Sequence, residues 1–277
     1  MSQPSGESLI QRIDELEVSL NGLGFYGLGQ VGVVIKGPDG VIYVDPYLTD
    51  YGGSEERLPR NFPPPIEPAD VTNATHVLIT HAHVDHFDPE TLGLLARSSP
   101  QAHFYGPYTC DFSEVVETPE RVTVPKVDEA YAAGDARVTA IPSAHTELEQ
   151  SEHGYPYFGY VIEWNGVTVY HTGDTVIYDG LIERLRRWSI DVAFIPINGR
   201  DYFRTSQDII GNTDFREAAE LAETLDVRVV IPTHYDLIPG NTQNPAYFVD
   251  YLYRLNPNRR HHFLRPGELY YYVKEGL

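Results

Sequence analysis

Apolar residues along this chain fall mostly in short runs of strand length, separated by turn-forming residues. "GQVGVVIKGPDGVIYVDPYL" sets two apolar runs on either side of Pro38-Asp39-Gly40, which predicts a β-hairpin. "FGYVIEWNGVTVYHTGD" repeats that design through Asn165-Gly166. Further strand-like runs are "THVLIT", "AHFYG", "RVTVP", "ARVTAIPSAH", "DVAFIPI", "VRVVIPTHYD" and "HHFLRPGELYYYV". Helical patterns are fewer. One covers residues 7–16. A second is "DPETLGLLARSS", where Asp88 can cap and Pro89 suits the first helical position. The others are "TDFREAAELAETL", capped at Thr213 or Asp214, and "NPAYFVDYLYRL".

Strands fill both halves, each half closes in helices, and neither a linker nor a short repeat divides them. This order predicts an α/β (α+β) fold of two mixed sheets packed face to face with helices outside, a four-layer αββα sandwich. We expect one domain over residues 1–277, with 1–20 as an N-terminal extension. Residues 50–70, rich in Pro, Gly and charge, form a long loop that suits an active-site flap.

Four of the apolar runs end in the same way, with a loop that carries His or Asp. "VLIT" runs into His81, His83, Asp85 and His86, "VTAIPSA" into His145, "VTVYHTG" into Asp174, and "VVIPT" into His234. Strand ends are where α/β proteins place ligand loops, because the strand fixes where the loop begins. Convergence at one edge would gather five histidines and two aspartates, a set suited to two divalent ions. Imidazole and carboxylate ligands favour Zn²⁺, Mn²⁺ or Fe²⁺, and no cysteine stands at any of the four places. His81 and His83, as alternate residues, can share one ion while Asp85 and His86 turn to a second. Asp174 can bridge ions roughly 3.5–4 Å apart, and water held there titrates near pH ~7, giving a hydroxide nucleophile.

Composition narrows the partners. The net charge is −20, with 40 acidic residues against three lysines, Lys36, Lys126 and Lys274. Such a chain repels phosphate backbones and anionic membranes, so nucleic-acid and membrane partners are not expected. No apolar run approaches the roughly 18 residues that cross a bilayer. The start "MSQPSGESLIQRIDELEVS" lacks a basic segment followed by an apolar one, so no secretory signal is expected. The single cysteine, Cys110, suits a reducing cytoplasm.

The "HAHVDH" motif (81–86), His145, the aspartate of "GDT" (Asp174) and the last histidine (His234) resemble the metallo-β-lactamase-fold hydrolase superfamily, from about Gly27 to Tyr253. That resemblance implies the αββα fold, with His81, His83 and His145 on one metal, Asp85, His86 and His234 on the second, and Asp174 bridging. "GPYTC", "VYHTGDTVIYDGL", "IDVAFIPI" and "VVIPTHYD" are similar to the branch containing L-ascorbate-6-phosphate lactonase, a manganese-supported enzyme. His145, where that branch carries an aspartate, moves the pattern toward zinc.

The expected activity is two-metal hydrolysis of a small ester or lactone, with a sugar-phosphate lactone as one form and Asp85 handling the proton. Phosphodiester cleavage and thioester hydrolysis of the glyoxalase II kind are the alternatives. Asn198, Arg200 and Arg204 are candidates to grip an anionic substrate, with Arg57 and Arg60 in the flap behind them. His171 and Asp236 are candidates to orient the metal ligands. A homo-oligomer stays open.

Overall fold

The computed structural model describes residues 7–53 and 57–275. Two seven-stranded sheets face each other. In the first, β1 (Gly22–Gly29), β2 (Gly32–Lys36) and β3 (Val41–Val44) form an antiparallel meander. It continues through the parallel strands β4 (His76–Leu78), β5 (His103–Tyr105) and β6 (Val122–Thr123). On its other side β1 pairs antiparallel with β14 (Leu269–Val273), so strands from the two ends of the chain lie side by side. The second sheet holds β7 (Ala130–Ala133), β8 (Ala136–Pro142), β9 (Phe158–Trp164), β10 (Val167–His171), β11 (Val192–Pro196), β12 (Val229–Thr233) and β13 (Arg260–His261) in that spatial order.

Three apolar layers hold the sandwich. Phe25, Ile35, Ile42, Tyr160, Ile162 and Phe194 interlock between the sheets. Outside the first sheet, α1 (Glu7–Glu15) and α2 (Pro89–Ser98) bury Leu9, Ile13, Leu92 and Leu95. Outside the second, α3 (Leu181–Leu185), α5 (Phe215–Thr224) and α6 (Pro245–Leu255) bury Leu185, Leu221 and Phe248. The short helix α4 (Tyr202–Thr205) stands apart, with Tyr202 and Phe203 exposed. This is the αββα sandwich expected from the order of apolar runs.

Local chemistry accounts for the boundaries. Asp88 caps α2 by accepting from the backbone N–H groups of Glu90 and Thr91. Asp214, of the two candidates, caps α5, in a capping box closed by Glu217. Asn165 and Gly166 both take positive φ (49° and 78°), as the hairpin between β9 and β10 requires. The residues 1–20 read as an extension include α1, whose apolar face is part of the first outer layer.

Two strands are absent from the sequence reading. β1 reads "GLGFYGLG", whose glycines erase the apolar alternation, and β7 reads "AYAA", too small to signal. The glycines of β1 answer to close packing: a Cβ at Gly27 would stand 2.5 Å from the carbonyl oxygen of Arg265.

Strand direction sets the site. β8 and β10 both pair antiparallel with β9, and β10, β11 and β12 run parallel, so β8, β10 and β12 end at one edge. The loop after β4 meets them there. Phe158 N–H donates to Thr80 O at 2.8 Å and the Tyr160 hydroxyl to Ile79 O at 2.7 Å, tying the two sheets together beside it.

Candidate metal centre

All seven residues picked out at the strand ends converge. The ligand atoms of His81, His83 and His145 lie within 4.8 Å of one another, as do those of Asp85, His86 and His234. A third such group, His81, His86 and Asp174, overlaps both. Asp174 lies between the clusters: its Oδ1 is 3.4 Å from His86 Nε2, and its Oδ2 is 3.4 Å from His145 Nε2 and 3.2 Å from His234 Nε2.

The donors suit a cation. His86 Nε2, both ring nitrogens of His145 and Asp174 Oδ1 are buried with no hydrogen-bond partner among the described residues. Buried polar atoms are rarely left so in a folded protein. His81 Nε2 faces His83 Nδ1 at 2.9 Å. Inward-pointing, unpartnered nitrogen and oxygen atoms are the donor set a divalent ion completes.

Electrostatics divide the set. Burial holds the His145 imidazole at about 4, against the pull of Asp174. Burial also lowers His81 well below its ordinary value, and the neighbouring His86 adds to it. Burial opposes charge on His234 too, but there Asp174 and Asp85 outweigh it and lift the ring to about 9. His86 is raised likewise, burial being outweighed by Asp174, Asp85 and Asp45. Without metal, the two carboxylates therefore keep protons on His86 and His234. A bound metal must displace them.

Two positioning residues escaped the sequence reading. Asp45, fully buried at the end of β3, accepts from Thr80 N at 2.8 Å and Thr80 Oγ1 at 2.6 Å, and its Oδ2 lies 2.8 Å from His86 Nδ1. That contact turns His86 Nε2 toward Asp174. "VIYVD" obeys the same rule as the other four strand ends, so Asp45 could have been found. Gln30, between β1 and β2, carries no comparable signal. Its Nε2 donates to Asp85 Oδ2 at 2.7 Å and lies 3.2 and 3.3 Å from the ring nitrogens of His234. Asp45, Gln30 and His234 all hold positive φ (43°, 57° and 57°), a conformation non-glycine residues keep only where the surroundings enforce it.

Asp236, expected to orient His234, does not reach that ring. Gln30 occupies the position, while desolvation raises the half-buried Asp236 carboxyl to about 6 and its backbone oxygen accepts from Asn61 Nδ2. His171 touches no ligand side chain either. Its Nε2 faces Val31 O at 2.9 Å and its Nδ1 accepts from Gly173 N at 3.2 Å, bracing the turn that presents Asp174.

The cavity beside the cluster measures about 350 Å³, near the lower end of the ~300–1,000 Å³ usual for ligand sites. The proposed anion grips do not line it. Arg200 forms two 2.6 Å bonds to Glu217 and a third to Asn212 O. Arg204 binds Asp201 and Thr242 O. Arg57 is held by Asp50 and Glu90, and Arg60 by the carbonyls of Tyr47 and Thr49. Asn198 is fully buried and bonds Asn241, which does line the cavity. These arginines are paired with neighbouring acids and carbonyls, and among the described residues no lysine or arginine lines the cavity.

Comparison with known proteins agrees with this geometry. The family model for the beta-lactamase superfamily domain matches residues 41–235. A UPF0173 metal-dependent hydrolase of Exiguobacterium sp. is 29% identical over 244 residues, spanning 83% of this chain and 92% of its own. One from Caldivirga maquilingensis is 27% identical over 207 residues, 74% of this chain and 83% of its own. Among solved structures, Igni18, a metallo hydrolase from Ignicoccus hospitalis, superposes with a TM-score of 0.69 at 20% identity, covering 92% of this chain and all of its own. With two mixed sheets, flanking helices and His/Asp groups able to bind metal at one sheet edge, the chain belongs to the beta-lactamase superfamily, as a metal-dependent hydrolase of the metallo-β-lactamase fold.

Proposed function

We propose that this protein hydrolyses a small ester or lactone at a two-ion centre, zinc being the ion its nitrogen-rich donor set favours. His81, His83 and His145 would hold one ion, Asp85, His86 and His234 the other, and Asp174 both. The observation that carries this reading is the position of Asp174, with its two oxygens facing histidines of both clusters. Bound divalent ions would lower the pKa of water to about 7 and polarise the substrate carbonyl.

The chain's own groups do the rest. Asp85 borders the cavity; its Oδ2, which accepts from Gln30 and faces His86 and His234, would hold the ion, and its Oδ1 would take the proton of the attacking water. His86 is held by Asp45, so its ring nitrogen points inward without reorganisation. Leu58, in the 50–70 loop, forms part of the wall, which supports a flap role for that loop in excluding bulk water. The reaction class follows the lactonase-like resemblance, but the sugar-phosphate form has no cationic group waiting for it in the wall. We place the protein in the cytoplasm, as its single buried cysteine suits; among the described residues no helix is long and apolar enough to cross a membrane.

The test is metal analysis of the purified protein, then a hydrolysis screen of lactones, phosphodiesters and thioesters with the metal found. Asp174→Ala should lose metal and at least about a thousandfold of kcat, on the scale of removing a central electrostatic element. Full turnover by a verified metal-free variant would overturn the mechanism, and activity confined to phosphodiesters would overturn the substrate class.

A further inference from the structure

Apart from the ligand carboxylates and imidazoles, the wall of this cavity is almost entirely aliphatic. Leu58 comes from the 50–70 loop, Val84 from the histidine loop, Ile209 and Ile210 from the segment after α4, and Ile238 from the segment after β12. No lysine or arginine lines it among the described residues, and the remaining residues of the sequence (1–6, 54–56, 276–277) contain none. Among the described residues, the one charged wall residue outside the ligand set is Asp208.

A single amide supplies the polar contrast. Asn212 Nδ2 donates to Asn198 Oδ1 at 3.2 Å, and Asn198 Nδ2 donates to Asn241 Oδ1 at 3.0 Å. Asn198 and Asn212 are fully buried, and Asn241 is 8% exposed, on the cavity wall. The relay occupies Asn241's acceptor, and among the described residues no hydrogen bond engages its Nδ2. An amide on an otherwise apolar cavity wall favours a ligand that brings an acceptor.

We propose that the substrate is neutral, with a carbonyl or similar acceptor for Asn241 and a short aliphatic body against Leu58, Val84, Ile209, Ile210 and Ile238, and that bodies bearing a carboxylate or phosphate are rejected. This rests on the hydrolase reading above and names the substrate class of the same site. Rejection follows from desolvation: an anion on the part of the body directed away from the ions loses water, meets no lysine or arginine, and lies near Asp208. It replaces the anionic substrate expected from the arginines of 198–206, which are engaged elsewhere.

The test uses metal-loaded protein and two lactams that resist hydrolysis, one with a hexyl tail and one with the same tail ending in carboxylate. Calorimetry should show the hexyl lactam binding at least about tenfold more tightly, a difference of ~1.4 kcal/mol. Ile210→Lys, at a position 40% exposed, should narrow or invert that ratio. Asn241→Asp keeps the acceptor for Asn198 and removes the donor, and should weaken the hexyl lactam by about tenfold. Equal or tighter binding of the carboxylate, or binding of neither, overturns the inference. Turnover of the matching lactones is read separately. If the hexyl lactam is preferred but neither lactone is cleaved, the hydrolase reading fails and the cavity assignment stands. If both are cleaved with the carboxylate preferred, only the cavity assignment fails.

Discussion

A histidine presents one ring nitrogen more firmly when something holds the other. Asp45 does this for His86, while also pinning both the backbone and hydroxyl of Thr80 at the root of the ligand loop. Asp45→Asn should therefore keep the fold and reduce affinity for the His86 ion by about 10–100-fold, measured by metal titration against a chelator. Unchanged affinity would remove Asp45 from the site. His234 gives a pH signature. Its pKa rises from 6.5 to about 9 without metal, so the folded state holds a proton that the unfolded chain releases. That stabilisation is complete below pH 6.5 and gone above pH 9. Chelator-treated protein should lose melting temperature across this window, and metal-loaded protein should not, because its rings are already deprotonated. The seven strand-end residues were legible because an apolar run ending in His or Asp is a local pattern. Gln30 was not: a glutamine in a glycine-rich turn becomes meaningful only once His234 is folded against it.

At the scale of elements, α2 starts where the ligand loop stops. Asp88 receives two backbone N–H groups through Oδ1 and the hydroxyls of Thr49 and Thr91 through Oδ2. Asp88→Ala should cost about 1–2 kcal/mol, read as a lower urea midpoint at constant slope. A change in slope instead would mean altered compactness. Capped helices and hairpin turns were visible in the sequence because their chemistry is local. β1 and β7 were hidden because glycine and alanine carry no apolar period, so that only pairing with neighbouring strands defines them. The arginines of 198–206 misled for a related reason. Residue type advertises a guanidinium, but only the folded positions of Glu217, Asp201 and Thr242 reveal that it is occupied.

Over the whole molecule, a net charge of −20 means that the compact state repels itself. Salt should relieve this. Raising sodium chloride from about 0.02 to 0.3 M shortens the Debye length to below ~10 Å and should raise the melting temperature by several degrees. A fall would show that the surface ion pairs, such as Arg200–Glu217, outweigh the net repulsion. The pairing of β1 with β14 carries a different consequence, one of timing. While the chain is being synthesised, the outer edge of β1 has no partner until residue 273 has been made, although β2, β3 and the histidine loop are already available. Through that interval the nascent chain presents an open strand edge, the kind of surface that other chains can pair with. Its glycine-rich composition, which weakens β1 as an isolated strand, also makes it a poor template for a stray partner while it waits for its own.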